Sequence, residues 1–119
     1  MEKVIEIDER FGKRFSGKYK FRSMSWGRSN EITSQCTSIN PLTKRSIIDL
    51  KKLQAFMLDA TLIERPKGIS LEVFLSEDPD EGLPVALGEL LMAMADKVNG
   101  YGEKDREELK NLKKRWGLD

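Results

Sequence analysis

The chain contains no histidine, and among its 119 residues there is one cysteine, Cys36. Without histidine it has no Ser-His or Cys-His nucleophile pair and no imidazole ligand for zinc. A single thiol closes no intrachain disulfide and builds no thiolate cluster. Cys36 falls on the expected buried side of the first helix, where a thiol is inert core. Long hydrophobic runs are missing too. The stretch Leu90 to Ala95 is far short of the roughly 20 apolar residues that span a bilayer. The segment Met1 to Arg10 carries acids where a secretory signal has a basic start and an apolar run. Net charge is scarce as well: 21 Lys and Arg against 20 Asp and Glu leave +1. That balance argues against a whole-surface grip on nucleic acid or anionic lipid. No internal repeat or low-complexity linker appears. These absences imply a soluble, cytosolic chain that is not an enzyme, needs no cofactor or metal and does not meet a membrane.

What charge there is lies unevenly. Residues 1–28 hold eight Lys or Arg and four Asp or Glu, whereas residues 64–83 hold two and six. Such a layout either wets two faces or brings copies and partners together head to tail. At 39% hydrophobic residues the chain is long enough to bury a core of its own.

Periodicity gives the elements. Lys3 to Ile7 and Lys18 to Arg22 alternate with period two and predict a small β-hairpin, which needs helices to lie on. Ser25 caps a helix running through Trp26, Ile32 and Cys36, which Asn40-Pro41 ends. Ser46, with Asp49 at its third position, opens a second helix. Its stripe is Ile47, Leu50, Leu53, Met57 and Ala60, with Phe56 and Ile63 alongside, and Pro66 and Gly68 stop it. Residues 69–75 read as a helical turn or a strand, the turn being favoured. Pro84 suits the first position of a third helix with the stripe Leu87, Leu90, Leu91, Met94 and Val98, and Asn99-Gly100 closes it. The final segment, Glu103 to Trp116, sets acids early and bases late, as the helix dipole favours. Its apolar seam is thin: Leu109, Leu112 and Trp116. The expected fold is therefore mainly α, a three- to four-helix domain with a small N-terminal β-hairpin. Residues 1–24 form the basic hairpin, 25–100 the helical core and 101–119 a charged helix that docks on the core edge or waits for a partner.

Three motifs invite chemistry. Gly12 to Lys18 matches G-x-x-x-x-G-K, but Tyr19 stands where a phosphate loop has a magnesium-binding Ser or Thr, and a strand follows instead of a helix. It reads as a basic hairpin loop. Ser76 to Gly82 is acidic, yet aligning Gly82 on the calcium-loop glycine puts Pro79 on a ligand position and Gly88 where a Glu is required. It reads as a solvated turn. Lys13, Arg14, Lys18, Lys20 and Arg22 interleave with Phe11, Phe15, Tyr19 and Phe21, a mixture able to hold phosphates and stack bases. This supports an alternative reading as a small nucleic-acid-binding regulator. A third possibility, a hydrolase using acids and a divalent metal, has no carboxylate pair singled out by an apolar setting.

The order of features also resembles a known family. An aromatic strand, Lys18 to Arg22, precedes Met24-Ser25-Trp26, then Glu31-Ile32 and Cys36. An apolar second helix from Ile47 to Ile63 runs into Pro66. Leu83-Pro84, Gly88, Leu90-Leu91 and Val98-Asn99-Gly100 follow. Over about residues 18–100 this pattern is similar to the small tail assembly chaperones of long-tailed phages and prophages. The resemblance implies a mostly helical, non-catalytic protein in the host cytoplasm. Such a protein binds the long helical tape measure protein and keeps it soluble until tube subunits polymerise around it. In such families a longer frameshifted form often extends the same N-terminal domain. Amphipathic helices can cover the apolar stripes of such a partner, and many weak copies along one target achieve avidity. The residues expected to make apolar contact are Trp26, Met57, Met92, Met94, Leu109, Leu112 and Trp116. Self-association is expected as well.

Overall fold

A computed structural model describes residues 1–117. Two strands, β1 (Glu2–Ile7) and β2 (Gly17–Arg22), pair antiparallel, with Ile5 opposite Tyr19 and Lys3 opposite Phe21. Between them the chain makes two short 3-10 turns, Glu9–Phe11 and Lys13–Phe15, the first capped by Asp8. The Gly12 to Lys18 segment thus leads into a strand and not into a helix. Helix α1 (Trp26–Gln35) starts at Ser25, whose Oγ accepts from the Arg28 amide at 3.1 Å, the expected cap.

The fold is mixed α/β, not the mainly helical domain expected. Among the described residues there are five α-helices, a three-stranded antiparallel sheet and a separate two-stranded sheet. Three corrections produce the difference. The first helix ends at Gln35, with Cys36 as its C-cap, and not at Asn40-Pro41, because the next three residues form a strand. Ser46 does not open a helix: Ser46–Ile48 is β4, paired with β3 (Thr37–Ile39) across an Asn40 turn, and Asp49 caps the helix. The β-branched residues on both strands, Thr37, Ile39, Ile47 and Ile48, favour a pleated ribbon over a helical turn. Lys44 takes a positive φ of 61° to close the turn, and Asn40 Oδ1 accepts from the Leu42 amide. Helix α2 then covers Leu50–Thr61 and stops short of Pro66, because Leu62–Glu64 extends into β5. The residue directly before a proline, here Arg65, is steered away from the helical region, so a helix could not have run on into Pro66. β5 adds to β2, pairing Leu62 with Phe21, and gives the sheet the order β1-β2-β5. The resulting sheet replaces the expected bare hairpin.

The remaining elements follow the expectation more closely. Ser70 precedes a short helix, α3 (Leu71–Leu75), which decides the ambiguous segment in favour of the helical turn. Helix α4 (Val85–Val98) starts one residue after Pro84, which is its N-cap, and ends at Asn99 with Gly100 at φ +80°. Helix α5 (Glu103–Arg115) closes the described chain.

The core sits where α4 crosses β1 and β2 and packs against α2. Tyr19, Phe21, Leu87 and Leu91 are fully buried there, with Phe15, Leu58, Leu62, Val73, Ala95 and Val98 around them. The α2 stripe is displaced from the expected one: Ala55, Leu58 and Thr61 face inward, while Leu50 and Ile47 are exposed. Two parts leave this body. Every residue from 41 to 51 is exposed, as is every one from 106 to 117. The radius of gyration is accordingly 16.6 Å, against about 13.5 Å for a compact chain of this length.

Candidate functional site

A long concave surface runs between α2 and α4. Its upper part, about 520 Å³, is lined by Ala55, Leu58, Phe74, Leu83, Pro84, Val85, Gly88 and Met92, with Lys51, Gln54 and Glu89 also present. A second part of about 280 Å³ continues past Gln54 and Met92 to Leu53, Met57, Ala95, Asp96, Asn99 and Tyr101. Because Gln54 and Met92 line both, the two form one furrow along the helix pair.

Local structure explains this shape. Gly88 lies in the interior of α4, where glycine is unfavourable by roughly 0.5–1 kcal/mol relative to alanine. A Cβ there would meet only Leu83 Cδ1, at 4.0 Å, so the missing side chain leaves open depth. Tight closure fixes the acidic loop before α4: the Gly82 amide donates to the Asp78 carbonyl at 2.8 Å, and the Asp80 amide to Asp78 Oδ1 at 2.8 Å. A Cβ on Gly82 would lie 2.6 Å from the Ser76 carbonyl oxygen, so only glycine closes this turn. Lys51 Nζ reaches Glu77 at 3.0 Å and ties the loop to the furrow rim.

The other end is held by a polar bridge. Asn99 Nδ2 donates to Thr61 Oγ1 at 3.1 Å, Asn99 Oδ1 accepts from the Met24 amide at 2.9 Å, and Thr61 Oγ1 donates to the Met57 carbonyl at 2.8 Å. One side chain thereby joins α4, α2 and the β2–α1 connection. Beside it, burial pushes the Asp96 carboxyl above its ordinary range, and the Arg106 charge on α5 partly opposes that shift.

The residues expected to make apolar contact are distributed as follows. Met57 and Met92 come together in the furrow. Met94 packs against the buried core. Leu109, Leu112 and Trp116 share one exposed face of α5, and Trp26, at 84% exposure, stands on α1. Leu83, Val85, Phe74 and Tyr101 also line the furrow and are not among the expected contact residues. The one local signal is Gly88, a glycine inside the cleanest apolar stripe, which leaves that part of the helix face without a side chain.

The basic N-terminal segment is laid out differently from a nucleic-acid platform. Phe15, Tyr19 and Phe21 are buried, and the Tyr19 hydroxyl donates to the Phe15 carbonyl at 2.8 Å. Lys18 pairs with Glu64 at 3.4 Å, Lys20 with Glu2 at 3.2 Å, and Arg14 donates to the Asp80 carbonyl at 3.3 Å. Arg22 and Lys13 are exposed. Cys36 is buried, as expected. Among the described residues no helix is long and apolar enough to cross a membrane. No family model matches the chain, and no curated protein or solved structure matches it either.

Proposed function

We propose that this protein is a non-catalytic assembly chaperone of the phage tail type, working in the host cytoplasm. It lays an apolar helix of the tape measure protein into the α2–α4 furrow and keeps that helix soluble during tail assembly. The supporting observation is the furrow itself: an open apolar trough between two helices, floored by Met92 and Met57 and bounded by polar residues such as Lys51 and Glu89. An amphipathic helix buries its apolar face in a groove of this kind. Methionine adapts its shape to the varied side chains of a long client. The mixed α/β fold departs from the mostly helical domain that the family resemblance implies; the reading is supported by the furrow and by the sequence pattern over about residues 18–100. The nucleic-acid alternative loses its stacking surface, because three of its four aromatic rings lie in the core.

Co-purification with a tape measure segment, the two chains expressed together, tests the proposal. Retention of the segment by the wild-type chain is expected, with a loss of about tenfold or more on Met92→Lys, since a buried contact residue dominates such an interface. An aggregated segment that the wild-type chain neither dissolves nor retains would overturn the reading.

A further inference from the structure

The furrow has a complement within the same sequence, and we propose that α5 of one copy docks into the α2–α4 furrow of a second copy, its basic end against the acidic loop 76–82. This deepens the reading above, on which it rests for the furrow being a helix-binding site, and makes the chain shelter its own furrow until a client displaces the neighbour.

Shape, charge and exposure agree. Leu109, Leu112 and Trp116 lie at i, i+3 and i+7, one face of a helix, and are 54%, 37% and 68% exposed. They span about 10.5 Å along the axis, and so do Val85 to Met92 on the furrow side of α4. The last two turns of α5 carry Lys110, Lys113, Lys114 and Arg115. The loop at the upper rim carries Glu77, Asp78, Asp80 and Glu81, and Glu89 lines the furrow below it. An antiparallel seat over α4 puts those bases beside those acids and sets the negative end of the α5 dipole against the positive end of α4. The chain does not cover its own furrow: Val85 is 77% exposed, and α5 is exposed from Arg106 onward. The match of spacing and charge between α5 and the furrow rim makes a second copy the occupant. The contact uses different patches on the two copies, so it grows head to tail into open chains unless the rotation closes. In such a chain each furrow is filled by the neighbour's α5, and a client takes furrows only as it displaces those neighbours.

Light scattering on the purified wild-type chain, across a concentration series at low salt, tests this with no client present. The expected mass rises above the single-chain 13.6 kDa with concentration and falls back as salt screens the contact. Reversing the α5 bases (Lys113→Glu, Lys114→Glu, Arg115→Glu) or the loop acids (Glu77→Lys, Asp80→Lys, Glu81→Lys) should each weaken association by about tenfold or more. Mixing the two variants should restore it, because each then offers the other a complementary end. Trp116→Ala should weaken it without changing charge. A wild-type chain that stays at single-chain mass, or variants that associate as the wild type does, would overturn the proposal. Association that behaves as expected in a chain that holds no tape measure segment would overturn the client reading alone. A monomer that holds the segment would overturn this one alone.

Discussion

The body of the molecule and its two projecting parts use the same kinds of residue to opposite ends. In the body, Phe21, Leu87 and Leu91 have no exposure. In the β3–β4 ribbon and α5, Ile39, Leu42, Ile47, Leu109 and Trp116 are all exposed. Both regions have regular backbone, so hydrogen bonding does not separate them. The difference is whether a second layer lies above the apolar face. A two-stranded ribbon or a lone helix is marginal on its own, and apolar residues there contribute to stability only when something covers them. Apolar pattern in a sequence therefore marks surfaces that seek cover, and the fold decides which of them find it within the chain.

The largest test of this contrast is in the body. Leu91→Ala removes a fully buried side chain where α4 meets the sheet, and a loss of about 3–4 kcal/mol is expected by urea denaturation. A loss under about 1 kcal/mol would mean that the body is as loosely covered as the projecting parts.

Next in size is the polar bridge. Asn99→Ala deletes the bonds to the Met24 amide and to Thr61 Oγ1 at once, and Thr61 is fully buried. An expected cost of about 1–3 kcal/mol follows from leaving those groups without their partner. Asn99→Asp preserves the acceptor and loses the donor, so it separates the two bonds. If both variants unfold at the wild-type midpoint, the bridge does not brace the furrow.

Gly88→Ala is expected to act in the other direction. The position is helical without a positive φ, and a Cβ has room, so stability should rise by about 0.5–1 kcal/mol. The added methyl shallows the furrow, and retention of a helical client should weaken while the thermal midpoint rises. A variant that gains stability and binds as before would show that the furrow floor makes no contact.

Much of this contrast was legible in the residues, and what was not has a common cause. Ser25 and Asn99-Gly100 mark helix ends by local chemistry and stand where expected; of the stripe Leu87, Leu90, Leu91, Met94 and Val98, Leu87, Leu91 and Val98 are buried, Met94 is half-buried and Leu90 is exposed at the edge of the face. Ser46–Ile48 and Leu62–Glu64 are three-residue strands, too short for a period to show. Leu62 becomes a strand residue through Phe21, a partner far back in the chain that no local window contains. The furrow is hidden for the same reason. Met57 reads as a stripe residue and Met92 as an expected contact on the third helix, and only the packing of α2 on α4 brings them to one trough. Leu109, Leu112 and Trp116 were legible as a thin seam because nothing long-range alters them.

The smallest expected effect lies at the tip of the ribbon. Leu42 is 91% exposed, and the turn around it is held by backbone and Asn40 groups: the Leu42 amide donates to Asn40 Oδ1, the Lys44 amide to the Asn40 carbonyl, and the Asn40 amide to the Arg45 carbonyl. The leucine side chain takes part in none of these bonds. Leu42→Ser should therefore change folding stability by less than about 0.5 kcal/mol, as surface substitutions away from such features do. Hydrogen exchange at the β3 and β4 amides should be as fast in the variant as in the wild type and far faster than at β2, whose strand is paired on both sides. Asn40→Ala is the control within the same turn: it removes the acceptor that holds the Leu42 amide and should speed exchange at the ribbon while leaving β2 unchanged. If Leu42→Ser alone destabilised the whole chain, the leucine would already be covered in solution, and the ribbon would belong with the body.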